Sequence, residues 1–337
     1  MSFGIVGTGE ALGEPRPVVA TAAAYTADVG MVRDWGYHTF HRAADGVGLT
    51  DLATAAGRCA LDHAGVSAQR LDLIVLAMTD IAERLYWDAA AATQARLGAS
   101  QATALLVNQA CSSGVAAFDT VAGRFATHTG DRLALLIAAN RVCEPYWNRM
   151  ESCTAVMSDG AAAAVLARGH GRCRWLATEI ITDGRYADFA YLAAGGADRP
   201  FTGGAAPEPV GAPRDLMAEF LGHDVRKLAE FSQRSRGNTR AAFEQACKQA
   251  ALPTSAVRHA VYLNGTAKAF RQFASQFGVA LADTNADIAA SGGHFGCADQ
   301  LLSFGRMLEQ GRFADGDVVA LCSAGNGMHW ACTLLRV

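Results

Sequence analysis

Cys111 stands in the run Val107-Asn108-Gln109-Ala110-Cys111-Ser112-Ser113-Gly114, where an apolar strand stops and a helix over 115–124 begins. A thiol at such a junction lies beside unpaired backbone N–H groups and the positive end of a helix dipole, and both favour the thiolate. A thiolate is a nucleophile and an acyl acceptor at neutral pH. The other reading is a small buried hydrophobe, and the local pattern leaves both open. His294, in Ser291-Gly292-Gly293-His294-Phe295-Gly296, follows two glycines that allow close backbone approach. Its imidazole would donate to a developing oxyanion or sit as a cation beside a thiolate; alone it equally suits a structural histidine. Asn264 ends the apolar run Ala260-Val261-Tyr262-Leu263 and precedes Gly265. Asn-Gly is a turn signature, and a side-chain amide at a strand end can also serve an oxyanion hole.

Two further patterns carry no chemistry. His294 and Cys297 have ligand-like spacing, but no second pair accompanies them, so no metal site is expected. Gly7-Thr8-Gly9 followed by Gly13 has the wrong spacing for a dinucleotide loop, and Pro15 and Pro17 block the required helix.

The elements that must position these residues form an internal repeat. Residues 61–80 overlay 247–266, each an Ala-rich helix end, a short turn, an Arg and an apolar strand. Each copy continues through a Gln- and Gly-containing segment, 93–98 and 275–279. A small-residue elbow opening a helix follows, with Cys111 in the first copy and His294 in the second. Each half closes on a Gly-containing turn and an apolar strand, 158–167 and 326–337. Alternating strands and helices imply βαβ crossovers and an α/β fold with central sheets covered by helices. The halves are 1–168 and 169–337, related by a pseudo-twofold axis, so the two elbows are expected to face each other. Within 185–225 a Gly-, Pro- and Ala-rich stretch breaks the pattern and reads as a loop insertion, either a substrate wall or a surface excursion.

The 337 residues are 51% hydrophobic with a net charge of −3, which points away from nucleic acid and anionic membrane surfaces. No apolar run approaches the roughly 20 residues of a membrane span, and the first residues lack a secretory signal pattern. The nine cysteines are scattered and odd in number, as expected of reduced thiols in a cytoplasm. Residues 225–240 carry Arg226, Lys227, Arg234, Arg236 and Arg240 against one Glu. That run is either a solvated helix face or a dock for a CoA or phosphopantetheine phosphate or an acidic carrier protein.

From about residue 3 to 337 the chain resembles the thiolase superfamily, and within it β-ketoacyl-acyl-carrier-protein synthase III. The resemblance rests on the Ala110-Cys111 elbow, the Ser158-Asp159-Gly160-Ala161-Ala162 turn and the closing run 325–337. It implies a five-layered α-β-α-β-α fold, a homodimer, and Cys111 as the acyl-accepting nucleophile. It also implies carrier or pantetheine docking at Lys227, with Arg226 and Lys268 beside it. No tightly bound cofactor is implied; the substrate is an acyl-CoA or an acyl-phosphopantetheine carrier. The chain departs from synthase III in having Asn264 where that family has His, and His294 where it has Asn. Cys, Asn and Gly-His in this order resemble thiolases, in which these groups form the oxyanion hole and activate the cysteine. A thiolase also uses a second cysteine as base. Ungapped alignment of the Gly-x-Gly-Met turn places Ser323 there, with Cys322 one residue away on the opposite strand face. The expected activity is an acyl-Cys111 enzyme that passes its acyl group on by Claisen condensation or acyl transfer in polyketide-like or other specialised biosynthesis. The alternatives are a thiolase-type non-decarboxylative condensing enzyme and a non-catalytic partner subunit of a condensing enzyme.

Overall fold

The structure, a computed structural model, describes residues 2–152, 155–192, 194–201 and 213–337. It begins with β1 (Phe3–Leu12), followed by an excursion of β2 (Glu14–Pro17), α1 (Val18–Thr21), α2 (Val29–Asp34) and β3 (Thr39–Arg42), in which β2 and β3 pair. The first half continues through α3 (Leu49–Ala64), β4 (Leu73–Met78), α4 (Ala89–Leu97), β5 (Thr103–Val107), α5 (Ser113–Thr127), β6 (Leu133–Asn140) and β7 (Gly160–Arg168). The second contains β8 (Arg174–Thr182), α6 (Pro213–Phe220), α7 (Val225–Gln249), β9 (Val257–Val261), α8 (Ala267–Phe277), α9 (Ala286–Gly292), α10 (Asp299–Glu309), β10 (Val318–Gly325) and β11 (His329–Arg336). No helix of the described residues is long and apolar enough to cross a membrane.

These strands form one nine-stranded sheet in the order β5-β4-β6-β7-β1-β8-β11-β10-β9. The order has the same logic from either end. β4 is parallel to β6, β6 antiparallel to β7, and β7 antiparallel to β1. Likewise β9 is parallel to β10, β10 antiparallel to β11, and β11 antiparallel to β8. The counterpart of β5 shrinks to a single parallel bridge, Ala260 to Thr284. The half-sheets join at one pair, Gly4 with Arg174. Strands β4 and β6 are buried along their whole length, because a parallel strand covered on both faces needs a continuous apolar run.

Layering follows from which faces are apolar. Helices α3 and α4 cover the outer face of the first half-sheet, and α7 and α8 that of the second. Helices α5 and α10 lie between the half-sheets: Phe118 and Phe125 of α5 and Leu301 and Phe304 of α10 share one core with Leu136 of β6 and Leu321 of β10. The result is the α-β-α-β-α stack of a thiolase-like fold. The segment expected as a loop over 185–225 is more ordered than its composition suggests. Within it lie most of a 3₁₀ turn, Gly184–Phe189, and all of α6, while 202–212 fall outside the described residues. Tyr186 and Phe189 of the turn, Phe220 of α6 and Phe231 of α7 form one aromatic cluster, with Phe189 stacked on Phe231 at 5.4 Å. That burial offsets the Gly- and Pro-rich chain entropy.

A buried ion network fixes the wall of the future site. Asp159, in the turn before β7, is fully buried and accepts from Ala43 N and Val142 N, both at 2.8 Å, and from Arg149 Nη1 and Nη2 at 3.1 and 2.8 Å. Arg149, also fully buried, reaches Glu144 Oε1 at 2.5 Å, and Arg42 Nη2 closes on Glu144 Oε2 at 2.9 Å. Removing one partner of such a pair typically costs about 3–5 kcal/mol. Burial alone would raise the Glu144 carboxyl, but the hydrogen bonds and charges of Arg42 and Arg149 outweigh it and hold it at about 2. A carboxyl depressed on folding stabilises fully above the ordinary carboxylate range and loses that contribution as pH falls towards about 2. The stability gap between wild type and Glu144→Gln, measured by urea unfolding across a pH series, is therefore expected to be widest near neutrality and to close in acid.

Candidate active site

After β5 the backbone reverses through Ala110, at φ +48°, and enters α5. A left-handed alanine costs roughly 1–2 kcal/mol, and Ser113 holds it in place. Its N–H donates to Ala110 O at 3.1 Å, and its Oγ accepts from Gln109 N at 2.6 Å. Cys111 thus sits at the mouth of α5, partly exposed. The facing elbow is equally constrained. A Cβ on Gly293 (φ +76°) would come within 2.5 Å of Ser158 Oγ and 2.9 Å of Val156 O, so only glycine fits. The strap 156–158 holds this elbow: His294 N donates to Val156 O and Ser158 N to His294 O, both at 2.8 Å.

The two elbows meet. Cys111 Sγ lies 3.4 Å from His294 Nε2. The other ring nitrogen, Nδ1, lies 2.5 Å from Oδ2 of Asp299, the first residue of α10. With Nδ1–H donated to that carboxylate, Nε2 is left to exchange a proton with the thiol. Burial opposes a charged imidazole, but Asp299 and Cys111 together outweigh it and hold the His294 pKa well above its ordinary value. Asp299 is fully buried and also accepts from Asn264 N and Phe295 N, both at 2.7 Å. Sequence reasoning missed this residue. The available signal was an acid five positions after His294 at a helix start, where a negative charge meets the dipole.

Asn264 does not join the thiol. Its side-chain amide donates to Gly293 O at 2.7 Å and accepts from Asn285 Nδ2 at 2.9 Å, fully buried behind the His294 elbow. Its carbonyl oxygen and one N–H are engaged there, and it does not border the cavity described next. Ser323, on β10, is fully buried and does not border the cavity described next; its Oγ has no partner among the described residues. Cys322 belongs to the outer core, with its Sγ 3.7 Å from Cys332 Sγ on β11. Arg226 and Lys227, at the start of α7, and Lys268, at the start of α8, are exposed and stand apart from the cavity.

A cavity of about 390 Å³ opens onto Cys111 and His294. Thr79 and Asp80 follow β4, Asn140 ends β6, and Trp147 and Met157 come from the segment that Arg149 anchors. Phe189 closes it from the aromatic cluster. Among the described residues no group of three or more His, Cys, Asp or Glu side chains is placed to hold a metal ion.

Comparison with known proteins gives consistent similarities. The pattern described as 3-oxoacyl-[acyl-carrier-protein (ACP)] synthase III matches residues 107–184, and that of its C-terminal part matches 247–337. The β-ketoacyl-[acyl-carrier-protein] synthase III of Rhodospirillum centenum is 31% identical over 318 residues, covering 92% of this chain and 91% of the relative. That of Ruegeria pomeroyi is 28% identical over 335 residues, covering 96% and 95%. Among solved structures, the acyltransferase ChlB3 superposes with a TM-score of 0.85 at 20% identity, covering 100% of this chain and 98% of that one. The 3-oxoacyl-[acyl-carrier-protein] synthase III of Aquifex aeolicus gives 0.80 at 20% identity, covering 99% and 100%.

Asp299→Asn keeps the shape but removes the charge that orients His294, so the acylation rate of Cys111 is expected to fall by roughly 10²–10⁴-fold. Asn264→Ala strands the buried Gly293 carbonyl, while the Asn285 amide keeps Tyr262 O and Ser303 Oγ, and should cost about 1–3 kcal/mol of stability. Because its amide faces away from the thiol, it should slow acylation less than Asp299→Asn. Stopped-flow acylation and urea unfolding of both variants check the pair of outcomes.

Proposed function

The chain belongs to the β-ketoacyl-[acyl-carrier-protein] synthase III family of the thiolase superfamily, and on that footing we propose that it is an acyltransferase using Cys111, His294 and Asp299 as one relay. Cys111 Sγ attacks the thioester carbonyl with the proton of the pair already held on His294 Nε2. The departing thiol of CoA or phosphopantetheine takes that proton, leaving the acyl group on Cys111. An acceptor hydroxyl or amine then gives its proton to Nε2 as it attacks, and Sγ leaves as the thiolate. Asp299 is a positioning residue that fixes the imidazole tautomer and steadies its charge.

The observation that carries this reading is that, among the described residues, the thiol meets His294, backed by a buried carboxylate, 3.4 Å from Sγ. Claisen condensation must also stabilise an enolate, and the second donor expected for it, the Asn264 amide, is fully buried and does not border the cavity. A thiolase-type base is disfavoured as well, because Cys322 lies in the outer core beside Cys332. An intact nucleophile and relay argue against a partner subunit without catalysis. Acyl transfer to oxygen or nitrogen is therefore favoured over condensation, in a polyketide-like or other specialised cytoplasmic pathway. Arg226, Lys227 and Lys268 are the proposed contacts for an acidic carrier or pantetheine phosphate. The proposed homodimer would pair through edge strand β5, which leaves Leu105 and Leu106 exposed.

Incubation with acyl-CoA and acyl-carrier-protein donors should give an intact-mass adduct in wild type and none in Cys111→Ala. The loaded enzyme should pass its acyl group to a small alcohol or amine without release of carbon dioxide. Loss of carbon dioxide and a carbon–carbon product on adding malonyl-carrier protein would overturn the transfer reading in favour of condensation. An adduct that survives in Cys111→Ala would remove the cysteine from its role.

A further inference from the structure

The lining of the cavity is not the plain apolar wall that a saturated acyl chain would require. Asn140, at the end of β6, is fully buried and borders the cavity. Its Nδ2 donates to Ser158 O at 2.9 Å, which fixes the amide orientation, and its Oδ1 has no partner among the described residues. A buried acceptor left unpaired is costly, and one that borders a cavity is open to a ligand that brings a donor. The other partnerless buried side-chain oxygens, on Thr8, Gln109, Gln300 and Ser323, do not border this cavity.

Two neighbours share the wall. The positions of Thr79 Oγ1 and Asn140 Oδ1 converge over Gly296, 2.4 and 2.9 Å from where a Cβ would stand there. Thr79 Oγ1 accepts from Cys297 N at 2.7 Å. Asp80 accepts from Ile81 N at 2.7 Å and Cys143 N at 3.0 Å, and makes no ion pair among the described residues. Burial holds the Asp80 carboxyl above its ordinary value. Of the other polar lining groups, Asn148 is occupied with Tyr25 O and Met150 N and Ser152 with Ala155, while Asn326 is exposed to solvent.

We infer that Thr79, Asp80 and Asn140 form an acceptor-rich acyl subsite that selects an acyl group bearing a hydroxyl, which donates to Asn140 Oδ1. The inference rests on the acyl-Cys111 reading and names its substrate class. A hydroxyl is neutral and brings the donor that Oδ1 lacks, whereas a deoxy chain leaves that oxygen buried and unpaired.

The test is a competition between matched N-acetylcysteamine thioesters: butyryl against 2-hydroxybutyryl and 3-hydroxybutyryl, and benzoyl against its hydroxybenzoyl isomers. The second-order rate of Cys111 acylation is read by intact mass. At least one hydroxylated member is expected to load about tenfold or more faster than its deoxy parent. The ratio, taken on one sample, is independent of how much of it is folded. It should collapse towards one in Asn140→Ala and persist in Asn140→Asp, which keeps an acceptor oxygen but loses the bond to Ser158. A collapse in both would mean that the Ser158 contact, not Oδ1, sets the preference, and would overturn the inference. Equal loading of every hydroxy and deoxy pair by wild type would overturn it while leaving acyl-Cys111 intact. Failure to load any member would overturn both.

Discussion

A fully buried carboxylate at the first residue of α10 holds this site together. Asp299 receives the imidazole of His294 and the backbone amides of Asn264 and Phe295. An ionised group without water must be met by donors on every side, or it costs several kcal/mol. Three elements therefore have to arrive at one point: the chain leaving β9, the elbow after α9, and the start of α10. The helix N-terminus adds its own favourable field. Because the imidazole is one of the donors, satisfying the acid and aiming Nε2 at Cys111 are the same structural event.

The fold's symmetry explains why the nucleophile is there to be aimed at. Helices α5 and α10 are the paired central helices of the two halves, and both begin at the middle of the stack. Cys111 precedes one and Asp299 opens the other. The turn before β7 completes the clasp across the halves. Ser158 Oγ donates to Gly292 O at 2.7 Å, while Asp159 secures the segment bearing Trp147 and Met157. One short turn thus steadies both the relay and the cavity wall.

Much of this was legible in the sequence. The repeat of 61–80 in 247–266 pointed to paired half-sheets, and from that alone two elbows 183 residues apart were expected to face each other. Side-chain direction was harder. Asn264 has the residue type and place of an oxyanion donor, but its amide turns towards Gly293 and Asn285, a choice made by neighbours distant in sequence. Asp299 stands out less, since an acid at a helix start is usually a solvated dipole partner and only tertiary burial makes it a positioning residue. The insertion at 185–225 looked unstructured because glycine and proline dominate its composition. Its few aromatics do the packing, against a helix 11 residues beyond α6 at Phe231. The one-residue parity that separates Cys322 from Ser323 was readable, since a strand alternates faces.

The position of β11 between β8 and β10 has a consequence during synthesis. Until His329–Arg336 has left the ribosome, the second half-sheet lacks its middle strand, and β10 has no antiparallel neighbour. Ser112 Oγ, beside the nucleophile, would also lack its partner at His329 O, 3.0 Å away in the finished protein. The half-sheet and the hydroxyl beside Cys111 are therefore completed by the same strand, and a chain that has not yet placed β11 lacks both.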